Sequence, residues 1–111
     1  MRLLLVLVAL LAACRAPDSY GIQVLIGGKL IDGKGGAPIE PSVVIVEAGK
    51  FRAVGAQAST PIPPASVKVD TAGQTLRPPS GKVIEAGGTA DLEVLDTTGA
   101  VVRRMANGEW K

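Results

Sequence analysis

From Tyr20 onward the apolar residues come in short runs, and glycine, proline or Asn-Gly closes nearly every one. No window carries an apolar stripe at helical spacing, so the core has to be built from strands. Ile22–Ile26 is the first β-type run, ended by Gly27-Gly28, and Leu30-Ile31 follows before Asp32-Gly33. The stretch Gly33–Pro38 reads as a flexible turn. Val43–Val46 is strongly β-branched, and Phe51–Val54 answers it across Ala48-Gly49-Lys50. These two runs predict a hairpin in which glycine supplies the positive φ. Gly55–Ala65 carries Pro61, Pro63 and Pro64 and is expected to be an irregular loop. Val67–Asp70 alternates with period two, the pattern of a half-buried strand. Gln74–Leu76 comes next, then a breaker at Pro78–Gly81, then runs at Lys82–Ile84, Leu92–Leu95 and Val101–Met105. Asn107-Gly108 turns the last of these back onto Glu109–Lys111. The 14 Gly and 8 Pro are scattered between apolar runs, which excludes a collagen-like or low-complexity chain. Many short strands with frequent turns predict an all-β sandwich or barrel.

The first residues follow different rules. Met1-Arg2 supplies a positive charge, and Leu3–Ala13 is an unbroken run of Leu, Val and Ala. As a helix it would rise about 17 Å, roughly half of a ~30 Å hydrocarbon core. It therefore reads as a signal-peptide helix over residues 1–13 rather than a membrane span. Leu11-Ala12-Ala13-Cys14 resembles the lipobox of bacterial lipoproteins, which implies diacylglycerol on the Cys14 thiol, cleavage before it and acylation of the new amino terminus. Such acyl chains hold a protein on a membrane at ~0.8 kcal/mol per buried methylene. A lone cysteine suits lipidation better than a disulfide. Residues 14–20 are then a lipidated tether. Because Arg15 is not the aspartate that favours inner-membrane retention in Gram-negative lipoproteins, the expected location is the outer membrane, facing the periplasm.

Composition narrows the chemistry. The chain has no histidine and one cysteine, which removes most metal sites, the Ser-His and Cys-His nucleophiles and histidine acid/base catalysis. Twelve basic residues against ten acidic ones give a net charge of +2, too even for a nucleic-acid surface. Gly27-Gly28-Lys29 and Gly33–Gly36 invite a phosphate-loop reading, but neither has Gly-Lys-Ser/Thr with a helix behind it. Among the carboxylates, Asp91 and Glu93 share one strand face by period two, which is the geometry an acid/base pair or an oxygen-ligand cation site would use. Asp70 and Asp96 sit at strand ends, where turn hydrogen bonding is the usual role. Arg103-Arg104 invites contact with anionic lipid, yet neighbours on a strand point to opposite faces, so a solvated edge is expected. Trp110 reads as a core or edge aromatic, and Ser80 as linker.

The strand segments LIGGKLIDG (Leu25–Gly33), VVIVEAGKFRAVG (Val43–Gly55) and VDTAGQTL (Val69–Leu76) resemble the amino-terminal strands of the amidohydrolase superfamily, which includes imidazolonepropionase-like and dihydroorotase-like enzymes. IEAGGTADLEVLD (Ile84–Asp96) is similar to that superfamily's carboxy-terminal strands, and Asn107–Trp110 to its closing strand. The resemblance implies the composite β-sandwich that both ends of such enzymes form, here over residues 21–111, with an amino-terminal strand set at 21–77 and a carboxy-terminal set at 82–111. Between those sets the family carries a metal-binding (β/α) barrel, typically ~250 residues, entered through an Asp-x-His-x-His strand. Here Arg77 passes through residues 78–81 straight into Lys82. Barrel, metal ligands and general base are all missing, so no catalytic, cofactor-binding or metal-ligating residue is assigned and no cofactor or small molecule is implied. Asp91 falls in the family's structural Ala-Asp-Leu signature.

Three functions follow as expectations. The first is a non-catalytic, barrel-less amidohydrolase-like lipoprotein domain. The second is a truncated or split metal-dependent amidohydrolase whose barrel is a separate chain. The third is a small lipid-tethered binding module. The expected partners are a membrane, through the lipid anchor, and either a second copy or that barrel chain. Nucleic acid is not among them. Self-association is expected because runs such as Val43–Val46 and Leu92–Leu95 would line the surface that the barrel covers in the family, and because strand edges are open.

Overall fold

The computed structural model describes residues 21–111. The expected signal helix 1–13, Cys14 and the tether up to residue 20 lie outside the described residues. The described chain is an all-β sandwich of nine strands: β1 (Ile22–Ile26), β2 (Lys29–Leu30), β3 (Ser42–Glu47), β4 (Lys50–Ala56), β5 (Val67–Asp70), β6 (Thr75–Arg77), β7 (Leu92–Leu95), β8 (Val101–Ala106) and β9 (Glu109–Trp110). One sheet runs β4-β3-β1-β5 and the other β2-β6-β7-β8-β9. Both are mixed: β1 is parallel to β5 and β2 to β6, while the remaining pairs are antiparallel.

Register assigns the faces. Leu25 opposes Val44, Val44 opposes Val54 and Val46 opposes Phe51, so these residues share the inner face of the first sheet. Leu30, Leu76, Val94, Leu92 and Met105 meet them from the second sheet. Phe51, the one fully buried aromatic among the described residues, is 1% exposed at the centre of this core, where burying a ring of its size contributes about 1.5–3 kcal/mol. The outer face of the first sheet is also apolar. Val24, Val43 and Ile45 are buried there beneath Ile22, Ile26, Ala53 and Ile62, the last from the proline-rich loop. A strand apolar on both faces has no reason to alternate, which accounts for the continuous run Val43–Val46. That run and Leu92, Val94 and Leu95 are buried. They therefore do not form the bare surface expected of them.

Both predicted hairpins form, and Asn107 and Gly108 both have positive φ, 51° and 79°. In the β3–β4 turn Ala48 (φ 54°) shares that conformation with Gly49 (φ 77°), so glycine is not the only left-handed residue there. Two expectations are corrected. Lys82–Ile84 is not a strand. Lys82 is taken up in a turn that donates to Pro79 O, and Ile84 makes a single bond to Asp32 O while its side chain plugs the core. Val67–Asp70 is a strand, but at a sheet edge, where Val67 is 45% exposed and the half-buried pattern fades.

Candidate functional site

The chemistry-bearing residues gather on the outer face of the second sheet. Arg77 opposes Glu93 across β6–β7, and Glu93 opposes Arg104 across β7–β8. Lys111 N donates to Arg104 O, which extends the row past β9. Beside this row lies a groove of about 420 Å³ lined by Lys82, Asp91, Glu93, Arg104, Asn107 and Lys111 among others.

Asp91 and Glu93 do share a face, as period two requires, but each is already neutralised. Glu93 accepts from Arg77 Nε at 2.9 Å and from Arg104 Nε at 3.3 Å. These guanidinium groups, Arg77 first, hold its carboxyl below the ordinary glutamate range. Asp91 accepts from Lys82 Nζ at 2.8 Å and from the Asn107 backbone N–H at 2.9 Å. Those two donors, Lys82 first, lower its pKa as well. A general acid near neutral pH needs the opposite, a carboxyl pushed up by burial or by a like charge. Two carboxylates with separate cations do not share a proton. The arrangement instead pins β6, β7 and β8 together and ties the Lys82 turn to the β8–β9 hairpin.

The other sequence candidates resolve into structural roles. Asp70 accepts from Ala72 N at 2.9 Å. Asp96 accepts from Thr98 Oγ1, Thr98 N and Ala100 N, donors that lower its pKa with the Thr98 hydroxyl foremost. Neither phosphate-loop candidate is followed by a helix, and part of the backbone N–H set is already used. Gly27 N and Lys29 N are spent on Ser42 O and Gln74 O, and Lys34 N on Asp32 Oδ1. Arg103 and Arg104 do point apart, though not into solvent alone: Arg103 stacks 3.7 Å over the Trp110 ring and Arg104 pairs with Glu93. Ser80 is an exposed turn residue.

One polar residue escaped the sequence reading. Gln23 sits on the core-facing side of β1, accepts from Trp110 Nε1 at 2.8 Å and donates Nε2 to Gly108 O at 2.8 Å. It clips the two sheets together at the β8–β9 hairpin. The available signal was a lone amide inside the apolar run Ile22–Ile26, where an unpaired polar group would be costly.

Among the described residues no group of three or more His, Cys, Asp or Glu is placed to hold a metal ion, and no helix is long and apolar enough to cross a membrane. No family model matches the chain, and no curated protein matches it. Among the solved structures that match is one described as the structural and catalytic characterization of molinate hydrolase. It is 32% identical over 51% of this chain, with a TM-score of 0.47. The match spans 12% of that protein's length, so its activity as a whole is not carried over.

Proposed function

We propose that the chain is a non-catalytic, lipid-anchored β-sandwich, the companion domain of an amidohydrolase-like ancestor without its barrel. The observation that carries this reading is the seam between β6 and β7. Thr75, Leu76 and Arg77 pair directly with Leu95, Val94 and Glu93, so the two strand sets that resemble the ends of an amidohydrolase lie side by side in one sheet. The chain between them closes on itself. Lys82 N donates to Pro79 O, Ile84 N to Asp32 O, and Lys82 Nζ pairs with Asp91. The only carboxylates in the groove are spent on ion pairs, and the sequence has no histidine to replace the lost ligands. Metal analysis of the purified protein, with a panel of amide and lactone substrates, tests the reading. It expects neither stoichiometric zinc nor turnover. Zinc with turnover that survives repurification overturns it.

The anchor is part of the same proposal. Intact-mass measurement on membrane fractions is expected to find an amino terminus at a diacylglycerol-modified Cys14 in the outer membrane. An unmodified Cys14, or an amino terminus beyond it, refutes that part alone.

The split-enzyme reading has one observation in its favour. Ile31 and Val83 are 40% and 37% exposed, on segments that run together beside Pro78. A separate barrel chain would be expected to cover such exposed apolar residues. A neighbouring gene encoding a barrel with His-x-His, and restored turnover when both chains are mixed, would favour this reading over the first.

A further inference from the structure

Among the described residues the sheet edges other than β5 are covered at least in part. The start of β4 is covered by the segment after Glu85, through Phe51 N to Gly88 O at 2.8 Å and Gly87 N to Phe51 O at 2.7 Å. The edge of β2 is taken by Ile39, which exchanges both backbone bonds with Leu30. The strand β9 has two residues. The strand β5 has no backbone partner on its outer side among the described residues. Thr71 N donates to Ile26 O, and in the parallel register Leu25↔Val69 this parity turns the backbone of Val67, Val69 and Thr71 toward β1. The N–H and C=O groups of Lys68 and Asp70 therefore point away from the sheet. An open edge of this kind is a template for another strand.

We propose that this edge pairs with the β5 edge of a second copy, antiparallel about a two-fold axis at Val69. The sequence of the edge, Lys68-Val69-Asp70, is its own complement in that register. Val69 faces Val69 of the second copy, Lys68 faces Asp70, and Asp70 faces Lys68. The outward groups are then those that exchange bonds, since Lys68 and Asp70 form hydrogen-bonded pairs and Val69 a non-hydrogen-bonded one. Both charged side chains lie on the same sheet face, directly opposed across the axis. Neither has an ion-pair partner among the described residues, and Asp70 uses one oxygen on Ala72 N while the other is free. A β1- or β3-like apolar edge would accept many partners. The charge pattern of β5 selects an antiparallel copy of itself, the isologous contact of a two-fold dimer. The result is one continuous eight-stranded sheet, β4-β3-β1-β5 followed by its inverse, which brings the exposed Val67 diagonally against Val69 of the second copy.

The test uses the full chain with Cys14→Ser, in nonionic detergent at less than one chain per micelle. Sedimentation over ~10 µM to ~1 mM covers the weak range expected of a four-residue edge. The parent is expected to dimerise, and Lys68→Asp or Asp70→Lys, each of which opposes like charges twice, to weaken the dimer about tenfold. An equimolar mixture of the two variants restores complementary pairs and is expected to recover the parent's affinity as a heterodimer. Independently, the thiol introduced by Val69→Cys lies on the axis, where facing Cα atoms are about 4.5 Å apart, within disulfide span. It is expected to cross-link on mild oxidation far faster than the thiol of Arg52→Cys on the opposite edge. Cross-linking no faster than that control overturns the proposal, whether or not the charge variants fold. So does a parent that stays monomeric, or a mixture no tighter than its components.

Discussion

Replacing Glu93 by glutamine isolates what the carboxylate row contributes. The side chain keeps its shape and loses its charge, so Arg77 and Arg104 lose their common partner. Glu93 is 17% exposed, while Arg77 and Arg104 are 45% and 64% exposed. Exposed pairs contribute about 0.2–1 kcal/mol each. The shielded carboxylate places both toward the upper end, which gives about 1–2 kcal/mol at pH 7. For a domain of this size that is roughly 4–8 °C of Tm per kcal/mol. The pH dependence gives the sharper test. The folded pKa of Glu93 is lowered from its ordinary value of 4.5 by the two guanidinium groups. Its stabilisation is therefore complete above the unfolded pKa and is lost as pH falls through the folded one. Urea unfolding of parent and variant is expected to show a gap at pH 7 that closes as the pH falls through the parent's folded pKa. About 1 M salt narrows the gap at pH 7 by screening. A gap that persists unchanged at low pH would mean that packing, not charge, set it. A variant more stable than the parent at pH 7 would mean that the carboxylate is held against its own stability, as a catalytic acid is, and would refute the structural assignment.

Phe51→Ala removes a fully buried ring from the core and is expected to cost about 3–5 kcal/mol, read by urea unfolding. Gln23→Leu strands the Trp110 indole N–H and the Gly108 carbonyl and is expected to cost about 1–3 kcal/mol. Since the chain has one tryptophan, its fluorescence reports the lost clip directly, and an unchanged emission spectrum would count against the inter-sheet bond. Gly108→Ala is expected to destabilise by more than the ordinary 1 kcal/mol or so of a left-handed alanine. The added Cβ would stand 3.0 Å from Gly49 Cα and 3.3 Å from Val46 Cγ1, and thermal unfolding measures the loss.

Hairpins were the most legible part of the sequence because their signals are local. Asn107-Gly108 and Ala48-Gly49 set their own turn geometry whatever packs around them. The edge position of β5 was not legible. Period-two alternation reports which side chains could face a core, and Val67-Lys68-Val69-Asp70 alternates perfectly, but how much core reaches the strand depends on its neighbours in the sheet. Lys82–Ile84 misled for a related reason. One apolar residue, Ile84, has to reach the core, and a three-residue run with a buried end looks the same whether or not a ladder forms. The carboxylate face was legible from spacing, whereas its meaning was not. Arg77 and Lys82 lie 16 and 9 residues from the groups they neutralise, a separation that only the β6–β7 pairing explains.

The segment between Arg77 and Leu92 is where the functional argument and the folding argument meet. If a domain once stood there, its removal left two sheet strands to be joined and an edge of the first sheet to be covered. The residues now in place do both. Ile84 and Ala90 fill the core between the sheets, the turn at Gly87-Gly88 takes the free backbone groups of Phe51, and Lys82 neutralises Asp91 at the groove. A loop that plugs, caps and pairs is coupled to the stability of everything around it. These contacts are what the proposed non-catalytic domain would use to fold without a barrel. What the seam leaves unfinished is the far edge at β5, and its charges ask for another copy of the same strand.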